Sequence, residues 1–457
     1  MAKKHTFDYD LIVIGSGAGG SAAATIVARS GRRVAIIEAD TFGGDSPNWS
    51  DVPTKALLHV AHLYDEARHG ARFGLRSTTL GYNYPSLRSW KDLAVSRTGA
   101  AGNRRYYEDQ GISAYSGSAH FLSPNEITVN RRHLSAGKFL IATGSDWEKP
   151  KIAGLDKVEY KTPRTILESI KPPKSLLIVG AGDVAVEIAQ LMAIFGTKVY
   201  IADKTSQILP GEEPEVGELM ERVLREQKGI TSLTKTQVTS VVKDGLGKRV
   251  TILRGGVEKS IRVDEVLVAT KRVPNVDLGL ENATVKYGSD GIGVNEFLQT
   301  NVKHIFAAGD VLGRQTHTHT AILESRIVAH NILNATKASP DYRATPTVIF
   351  TYPGVARVGM TEQDCKQQSM AIKKSVAPLN MVARSNTSDF RDGFVKIITD
   401  KKGVIIGATV VAPHAGEMIH ELALAVKHRL TAEDVAETPH AFLSWSEAIK
   451  MAASKLS

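Results

Sequence analysis

The feature that most constrains the fold is a glycine-rich turn that occurs twice, each time between a continuous apolar run and a helix-forming segment. The first copy follows the run 9–14 and carries Gly15, Gly17 and Gly20. The second copy starts about 165 residues later, follows the run 175–179 and carries Gly180, Gly182 and Ala185. Apolar runs without alternation indicate strands that are buried on both faces. A strand, a glycine-rich turn and a helix in this order predict two dinucleotide-binding units, with helices expected at 21–30 and 186–195.

The residues of each turn have separate physical roles. The first glycine permits the tight turn, the second lets the backbone approach a pyrophosphate, and the third position packs the helix on the strand. The helix N-terminus then presents free N–H groups to the phosphates. A carboxylate that can bind ribose hydroxyls ends the second strand of each unit, Glu38 in the first and Asp203 in the second. Because a carboxylate repels a 2′-phosphate, Asp203 favours NAD(H) over NADP(H), although the adjacent Lys204 partly offsets this repulsion.

Composition argues against several other classes of protein. The chain has one cysteine, Cys365, which cannot form an internal disulfide and is expected to be a small buried residue without a nucleophilic role. This usage fits a reducing, cytoplasmic setting, and no metal site is predicted. We find no signal peptide and no run long enough to span a membrane. The net charge of +9 is scattered along the chain, so neither a nucleic-acid partner nor integral membrane association is predicted.

Beyond the two turns, the chain resembles the class I pyridine nucleotide–disulfide oxidoreductases, such as dihydrolipoamide dehydrogenase, glutathione reductase and mercuric reductase. The resemblance rests on residues 141–145, 269–275, 300–311 and 393–396. It implies an α/β fold with two Rossmann-like domains, for FAD and NAD(P), plus a C-terminal α+β dimerisation domain that forms a homodimer. The implied boundaries are an FAD-binding domain at 1–150, an NAD(P)-binding domain at 151–270, a return to the FAD or central domain at 271–340, and a dimerisation domain at 341–457.

The resemblance also implies functional residues outside the turns. Further cofactor contacts are expected at Ala119, Thr143, Gly144, Val238, Lys271, Asp310, Thr318 and His319. Asp310 would hold the ribityl chain of FAD, and Thr318 and His319 would open a helix beside the pyrimidine end of the isoalloxazine. The N-terminus of such a helix stabilises negative charge on reduced flavin. Lys271 stands where the family has glycine, and it either contacts the phosphates of NADH or is solvated.

Lys55 and Glu187 match the ion pair that the family places near flavin N5. A positive charge at that place favours hydride acceptance. The alternative is that the two residues are surface charges.

The chain departs from the family at the redox centre. Ser46 and Asp51 stand at the two positions where the family carries its redox-active cysteines, and Phe442 stands at the acid–base histidine. Glu447, which would orient that histidine, is retained. His440 lies nearby, and an ordinary packed or surface histidine is its expected role. Reduction of disulfides or mercuric ion by the usual thiol route is therefore not expected.

The role of Asp51 is open between two hypotheses. In one, burial near the flavin raises the pKa of Asp51, so that its carboxyl donates a proton to an acceptor. In the other, Asp51 is a hydrogen-bonded structural replacement for the thiol.

Taken together, the pattern predicts an FAD-dependent oxidoreductase that takes electrons from NADH and passes them directly from flavin to a small-molecule or protein acceptor. Candidate acceptors are a quinone, oxygen, a second pyridine nucleotide, a metal ion or an electron carrier. The alternative is a non-catalytic FAD- and NAD-binding redox sensor or partner subunit.

Overall fold

The computed structural model describes residues 6–76, 80–99, 101–314 and 316–457, and the chain divides into two compact units. The first unit comprises Met1–Ala56, Ser89–Glu148 and Lys271–Asp341. The second unit comprises Leu57–Arg88, Lys149–Thr270 and Tyr342–Ser457.

A parallel sheet forms the centre of the first unit. Its strands are, in spatial order, Ile305–Ala307, Phe139–Ile141, Leu11–Ile14, Val34–Glu38 and Ser113–Ser116. Helices Ala18–Arg29 and Thr318–Leu333 pack against each other in this unit, and their buried residues belong to the same apolar core as the sheet. The central strand is fully buried, which explains why its sequence is apolar without alternation.

Smaller elements complete the first unit. An antiparallel sheet contains Ala119–Ser123, Glu126–Val129 and Arg132–Ser135. Two strand pairs join Ser145–Trp147 to Arg272–Pro274 and Tyr287–Gly288 to Gly291–Ile292. The remaining helices are Asp45–Asn48, Arg105–Glu108, most of Tyr84–Arg97 and the start of Asp51–Arg68.

The second unit repeats the parallel arrangement on a smaller scale. Its parallel sheet has the order Thr231–Leu233, Lys198–Ala202, Ser175–Val179 and Glu265–Val268. The neighbouring helices are Pro163–Ile166, Asp183–Ile194 and Pro214–Lys228. An antiparallel sheet of Thr236–Asp244, Gly247–Arg254 and Val257–Val263 follows in the chain.

The C-terminal part of the second unit is built on an antiparallel sheet. Its strands are, in spatial order, Thr347–Ile349, Gly354–Gly359, Ile405–Ala412, Phe394–Asp400 and Ile372–Pro378. The associated helices are Glu362–Gln367, Ala383–Ser388, Ala415–His428, Ala432–Glu437 and Glu447–Ser454.

Both helices that follow the glycine-rich turns begin earlier than the sequence predicts. They span Ala18–Arg29 and Asp183–Ile194, because Gly17 and Gly182 themselves are the N-cap residues. The last residues of each turn are therefore already helical. Among the described residues, no helix combines the length and apolar character that crossing a bilayer requires.

Candidate functional site

The first glycine of each turn is required by the protein's own backbone. Gly15 has a φ of +103°, and a Cβ there would lie 2.2 Å from the carbonyl oxygen of Ala142. Gly180 has a φ of +115°, and a Cβ there would lie 2.1 Å from the carbonyl oxygen of Ala269. The two turns therefore share one geometry, in which a backbone carbonyl group just beyond a neighbouring strand lies too close to the glycine for any side chain to fit.

The second glycine of each turn has no such requirement within the protein. A Cβ on Gly17 would meet only the Cα of Gly44, at 3.7 Å, and a Cβ on Gly182 would meet nothing within 4 Å. Neither helix N-terminus has a side-chain cap. Open space beside the start of a helix fits a bound pyrophosphate, although in the second turn the Asp183 carboxylate already accepts a 2.8 Å hydrogen bond from the N–H of Val184. These turns therefore fit the dinucleotides that the sequence predicts.

The third positions differ between the two turns. A Cβ on Gly20 would lie 2.0 Å from the carbonyl oxygen of Gly15, so the first helix packs too close for alanine. Ala185 is 1% exposed, so the second helix accommodates its methyl group in the core.

The carboxylates at the ends of the second strands are held in the same way. Glu38 accepts hydrogen bonds from the N–H of Ser16 at 3.0 Å and from the Ser16 hydroxyl at 2.6 Å. Asp203 accepts from the N–H of Ala181 at 3.1 Å and from the N–H of Thr205 at 2.8 Å. Each carboxylate is thereby fixed beside its turn, where the ribose of a nucleotide with its pyrophosphate at the helix N-terminus would lie.

The two positions that match the cysteines form a polar cluster around Asp51. Asp51 begins helix Asp51–Arg68, and its Oδ2 accepts hydrogen bonds from the Ser46 hydroxyl at 2.8 Å and the Thr318 hydroxyl at 2.7 Å. The Lys55 ammonium lies one turn along the same helix, 3.5 Å from Oδ1 of Asp51. Thr318 is the first residue of helix Thr318–Leu333, so the cluster joins the N-termini of two helices.

Of the two hypotheses for Asp51, the one that requires a raised pKa is wrong. Burial does raise it, but the Lys55 ammonium and the hydrogen bonds from Thr318 and Ser46 outweigh burial, so the pKa of Asp51 lies below its ordinary value. Each of these partners stabilises the ionised form. Asp51 is therefore a carboxylate at neutral pH and a poor proton donor.

Arg272 forms a network that the sequence reasoning missed. Its guanidinium donates to the Ser145 hydroxyl at 2.7 Å and to Oδ2 of Asp45 at 3.1 Å, and its Nε lies 3.5 Å from Oδ2 of Asp310. The same guanidinium lies 5.2 Å from the ring centroid of Trp147. The segment that carries Ser46 is thereby tied to Asp310, the residue expected to hold the ribityl chain. The isolated arginine in the 269–275 segment was the available signal.

Two further features support the segment around Asp310 and Thr318. The buried carboxylate of Glu324 accepts a 2.6 Å hydrogen bond from the N–H of Gly309. The rings of His317 and His319 stack with centroids 5.5 Å apart on either side of Thr318. Helix Thr318–Leu333 is therefore tied through Glu324 to the residue that precedes Asp310.

The other predicted contacts in the first unit lie in ordered backbone. The Thr143 hydroxyl donates to the carbonyl oxygen of Asn275 at 2.7 Å, and the carbonyl oxygen of Gly144 accepts from the N–H of Asn275 at 3.0 Å. Ala119 is buried at the start of its strand. Lys271 is exposed, and its ammonium lies 3.8 Å from Asp290.

The remaining contacts and Glu187 lie in the second unit. Val238 is buried in the strand Thr236–Asp244. The buried carboxylate of Glu187 accepts a 2.7 Å hydrogen bond from the N–H of Phe350. Lys55 belongs to the first unit, so its pairing with Glu187 stays a prediction.

The C-terminal residues have taken other partners. His440 has a nearly buried side chain and lies 2.7 Å from Glu421, as expected for a packed histidine. Glu447 accepts a hydrogen bond from the N–H of Leu443, and Phe442 is 76% exposed. Cys365 is buried, and burial together with nearby carboxylates raises the pKa of its thiol, which makes it a poor nucleophile.

Three carboxylates that could together hold a cation, Glu213, Glu215 and Glu362, converge in the second unit. The buried ammonium of Lys396 lies among them, so these carboxylates already hold a positive charge. Together with Lys396 they form an ion-pair cluster.

Comparison with known proteins accounts for this architecture. The family described as pyridine nucleotide-disulphide oxidoreductase matches residues 9–325, and the dimerisation domain of the same family matches residues 345–453. A mercuric reductase of Staphylococcus aureus is 34% identical over 449 residues, which cover 98% of this chain and 82% of the relative. A dihydrolipoyl dehydrogenase of Bacillus subtilis is 32% identical over 442 residues, covering 94% of this chain and 93% of the relative.

A solved structure gives the same result for the fold. The Cu(II) complex of the HOCl-induced flavoprotein disulfide reductase RclA from Escherichia coli aligns with a TM-score of 0.87 and 25% identity, over 98% of this chain and 99% of that one. Proteins of this class bind FAD and use NAD(P)H. The two glycine-rich units and the C-terminal sheet are thus those of a known enzyme class, and the chain belongs to the pyridine nucleotide-disulphide oxidoreductase family.

Proposed function

We propose that this protein is an FAD-dependent NADH oxidoreductase that passes electrons directly from flavin to an acceptor other than a disulfide. The observation that carries the proposal is the hydrogen bond between Ser46 and Asp51 at the two positions that match the family's cysteines. Hydroxyl and carboxylate groups do not undergo the thiol–disulfide cycle. The chain's single thiol, Cys365, is buried and lies in the dimerisation domain, so it does not replace the missing pair.

The donor atoms of the cluster also argue against the reaction of the mercuric reductase relatives. Ser46, Asp51 and Thr318 offer oxygen atoms, whereas a soft cation such as mercuric ion prefers thiolate sulfur. We therefore propose an acceptor that needs no thiolate, with a quinone, oxygen, a second pyridine nucleotide, a metal ion or an electron carrier as the candidates.

Residues of this chain would bind and orient both dinucleotides. Gly15, Gly17, Gly20 and Glu38 would hold the ADP part of FAD, and Gly180, Gly182, Ala185 and Asp203 would hold NADH in preference to NADPH. FAD, when bound, supplies hydride acceptance from the nicotinamide and onward electron transfer. Lys55 would keep a positive charge near the reacting ring, and its ion pair with the Asp51 carboxylate limits its motion.

The domain assignment is part of the same proposal. FAD would bind the domain formed by 1–150 and 271–340, NADH would bind 151–270, and two chains would associate through 341–457. The matched dimerisation domain supports the homodimer.

An anaerobic NADH titration of the purified holoprotein tests the proposal, with flavin absorption as the readout. We expect bleaching after about two electrons per FAD and no long-wavelength thiolate band, because no dithiol takes a second electron pair. Cys365→Ala is the matched control and is expected to titrate identically.

Two results would overturn the proposal. Uptake of about four electrons per FAD would reveal a second redox group. A flavin that dithionite reduces but neither NADH nor NADPH reduces would favour the redox sensor.

A further inference from the structure

The loop 203–213 borders the second glycine-rich turn and contacts it directly. The N–H of Leu209 donates a 2.8 Å hydrogen bond to the carbonyl oxygen of Ala181, and Thr205 donates through its N–H and its hydroxyl to Asp203. Leu209 is buried and has a φ of +51°, a conformation that L-residues other than asparagine and aspartate seldom adopt. Such a backbone persists only where surrounding contacts hold it.

One of the contacts that hold this loop comes from the dimerisation domain. Arg357, on strand Gly354–Gly359, donates from Nε to Oε2 of Glu212 at 3.0 Å. The Glu212 side chain is 9% exposed and that of Arg357 is 22% exposed, so the pair is largely shielded from solvent. Burial raises the pKa of Glu212, with Asp183 of the turn adding to this effect and Arg357 opposing it.

The second contact is the Lys396 cluster. Lys396 lies on strand Phe394–Asp400, is 1% exposed, and has its ammonium 3.4 Å from Glu213 and 3.0 Å from Glu215. Glu362 completes the cluster, because its carboxylate pairs with Lys396 and its N–H donates to Glu213 at 2.9 Å. A buried charge cluster of this kind loses much of its stability when one partner is removed, so it holds its members in place.

We propose that Arg357 and Lys396 are positioning residues for nucleotide binding, which set the 203–213 loop, and with it Asp203 and Ala181, in the geometry that binds the nicotinamide dinucleotide. This proposal deepens the function proposed above and rests on it. Affinity for the nucleotide then depends on two side chains of the dimerisation domain that do not belong to the nucleotide-binding motif. Binding of FAD is expected not to depend on them, because the hydrogen bonds that this loop makes to a glycine-rich turn are to the second turn.

The test compares NAD+ binding by calorimetry in holoprotein variants. Arg357→Gln and Lys396→Met are expected to weaken NAD+ binding about tenfold, within the usual range of coupling between sites. Arg357→Lys keeps the charge and is expected to restore most of the affinity. FAD content and the rate of flavin reduction at saturating NADH should stay unchanged, so that the effect falls on the dissociation constant alone.

Two variants control for general loss of charge or packing. Arg222 pairs with Asp392 at 2.6 Å and also joins the two parts of the second unit, and its ion pairs are with Asp392 and Glu226. Lys374 is 51% exposed, and its ion pair at 2.6 Å is with Glu362. Arg222→Gln and Lys374→Met should therefore bind NAD+ like the unaltered protein.

The outcomes separate this proposal from the proposed function. Arg357 is less buried than Lys396, so its replacement is expected to be better tolerated. If Arg357→Gln binds NAD+ as tightly as the unaltered protein, the positioning role is wrong even where Lys396→Met does not fold. Equal weakening by Arg222→Gln would also overturn it. If the affinities of the variants for NADH differ as expected but NADH does not reduce the flavin, the positioning role is supported and the proposed reductase function is wrong. If the unaltered protein binds no NAD+, both fall.

Discussion

The Ser46 hydroxyl donates a 2.8 Å hydrogen bond to the Asp51 carboxylate, across the two positions at which the family motif has its redox cysteines. Thr318 and Lys55 add two more stabilising contacts to the same carboxylate. Where the family motif has two cysteines that exchange electrons, this chain has Ser46 and the negatively charged Asp51.

Asp51→Asn tests that charge through pH. The pKa of Asp51 is depressed below 3.8, so its stabilising contribution is present above about pH 4 and is lost as the pH falls through the folded-state value. We expect the variant to lose up to about 1 kcal/mol of unfolding free energy at neutral pH, because solvent screens a carboxylate whose side chain is 45% exposed. Urea unfolding of the holoprotein between pH 3 and pH 7 measures this.

The same variant tests proton donation. Since Asp51 is ionised at neutral pH, reoxidation of the flavin by an acceptor should have the same pH profile in Asp51→Asn as in the unaltered protein. Ser46→Ala, which keeps the charge and removes one hydrogen bond, is the control. A pH-dependent step that disappears only in Asp51→Asn would show that the carboxyl donates a proton after all.

Restoring both cysteines should restore a second redox centre. The double variant Ser46→Cys with Asp51→Cys places two thiols where the side chains are now in hydrogen-bond contact. We expect it to take up about four electrons per FAD in the NADH titration and to show a long-wavelength thiolate band. The single variants Ser46→Cys and Asp51→Cys should each remain at about two electrons. Two electrons in the double variant would mean that the backbone here no longer permits disulfide geometry.

Alanine at the first and second glycines should have different consequences. Gly15→Ala brings a methyl group to 2.2 Å from a backbone oxygen at a φ of +103°, and we expect a loss of about 3 kcal/mol or more of unfolding free energy. Gly17→Ala and Gly182→Ala meet no protein atom closer than 3.7 Å, so stability should change by about 1 kcal/mol or less.

Binding then distinguishes the two turns. Gly17→Ala should weaken FAD binding at least about tenfold, or about 1.4 kcal/mol, while Gly182→Ala should weaken NAD+ binding similarly and leave FAD content intact. Reconstitution of apoprotein with FAD and calorimetry with NAD+ provide the two measurements. An exchange of these effects between the two glycines would reverse the assignment of the turns.

Asp203 is expected to decide the choice of nucleotide. Its replacement by alanine removes the charge that repels a 2′-phosphate, so the ratio of kcat/KM for NADH to that for NADPH should fall at least about tenfold. Lys204→Gln should raise the ratio, because it removes the neighbouring cation. Steady-state kinetics with a fixed acceptor measure both, and an unchanged ratio in Asp203→Ala would place the selectivity elsewhere.

The sequence by itself determined the parts of this protein that depend on local spacing. The turns at Gly15 and Gly180 and the carboxylates Glu38 and Asp203 are visible along the chain, because residue type and spacing within one nucleotide-binding unit set each of them. The presence of Ser46 and Asp51 at the cysteine positions follows from the resemblance to the family. The family was predicted from the resemblance at residues 141–145, 269–275, 300–311 and 393–396, and the matched domains confirm it.

Only the tertiary structure decided the state of Asp51 and the partners of the charged residues. One of the two hypotheses from the sequence had burial raise the pKa of Asp51, yet Thr318, which lies 267 residues away, helps to lower it. Arg272 reaches Asp45 across 227 residues, and Lys396 meets Glu215 across 181. The ionisation state of a side chain depends on the charges and hydrogen-bond partners that surround it in space. In this chain those partners lie far apart in the sequence, so the local pattern does not indicate which of them will meet.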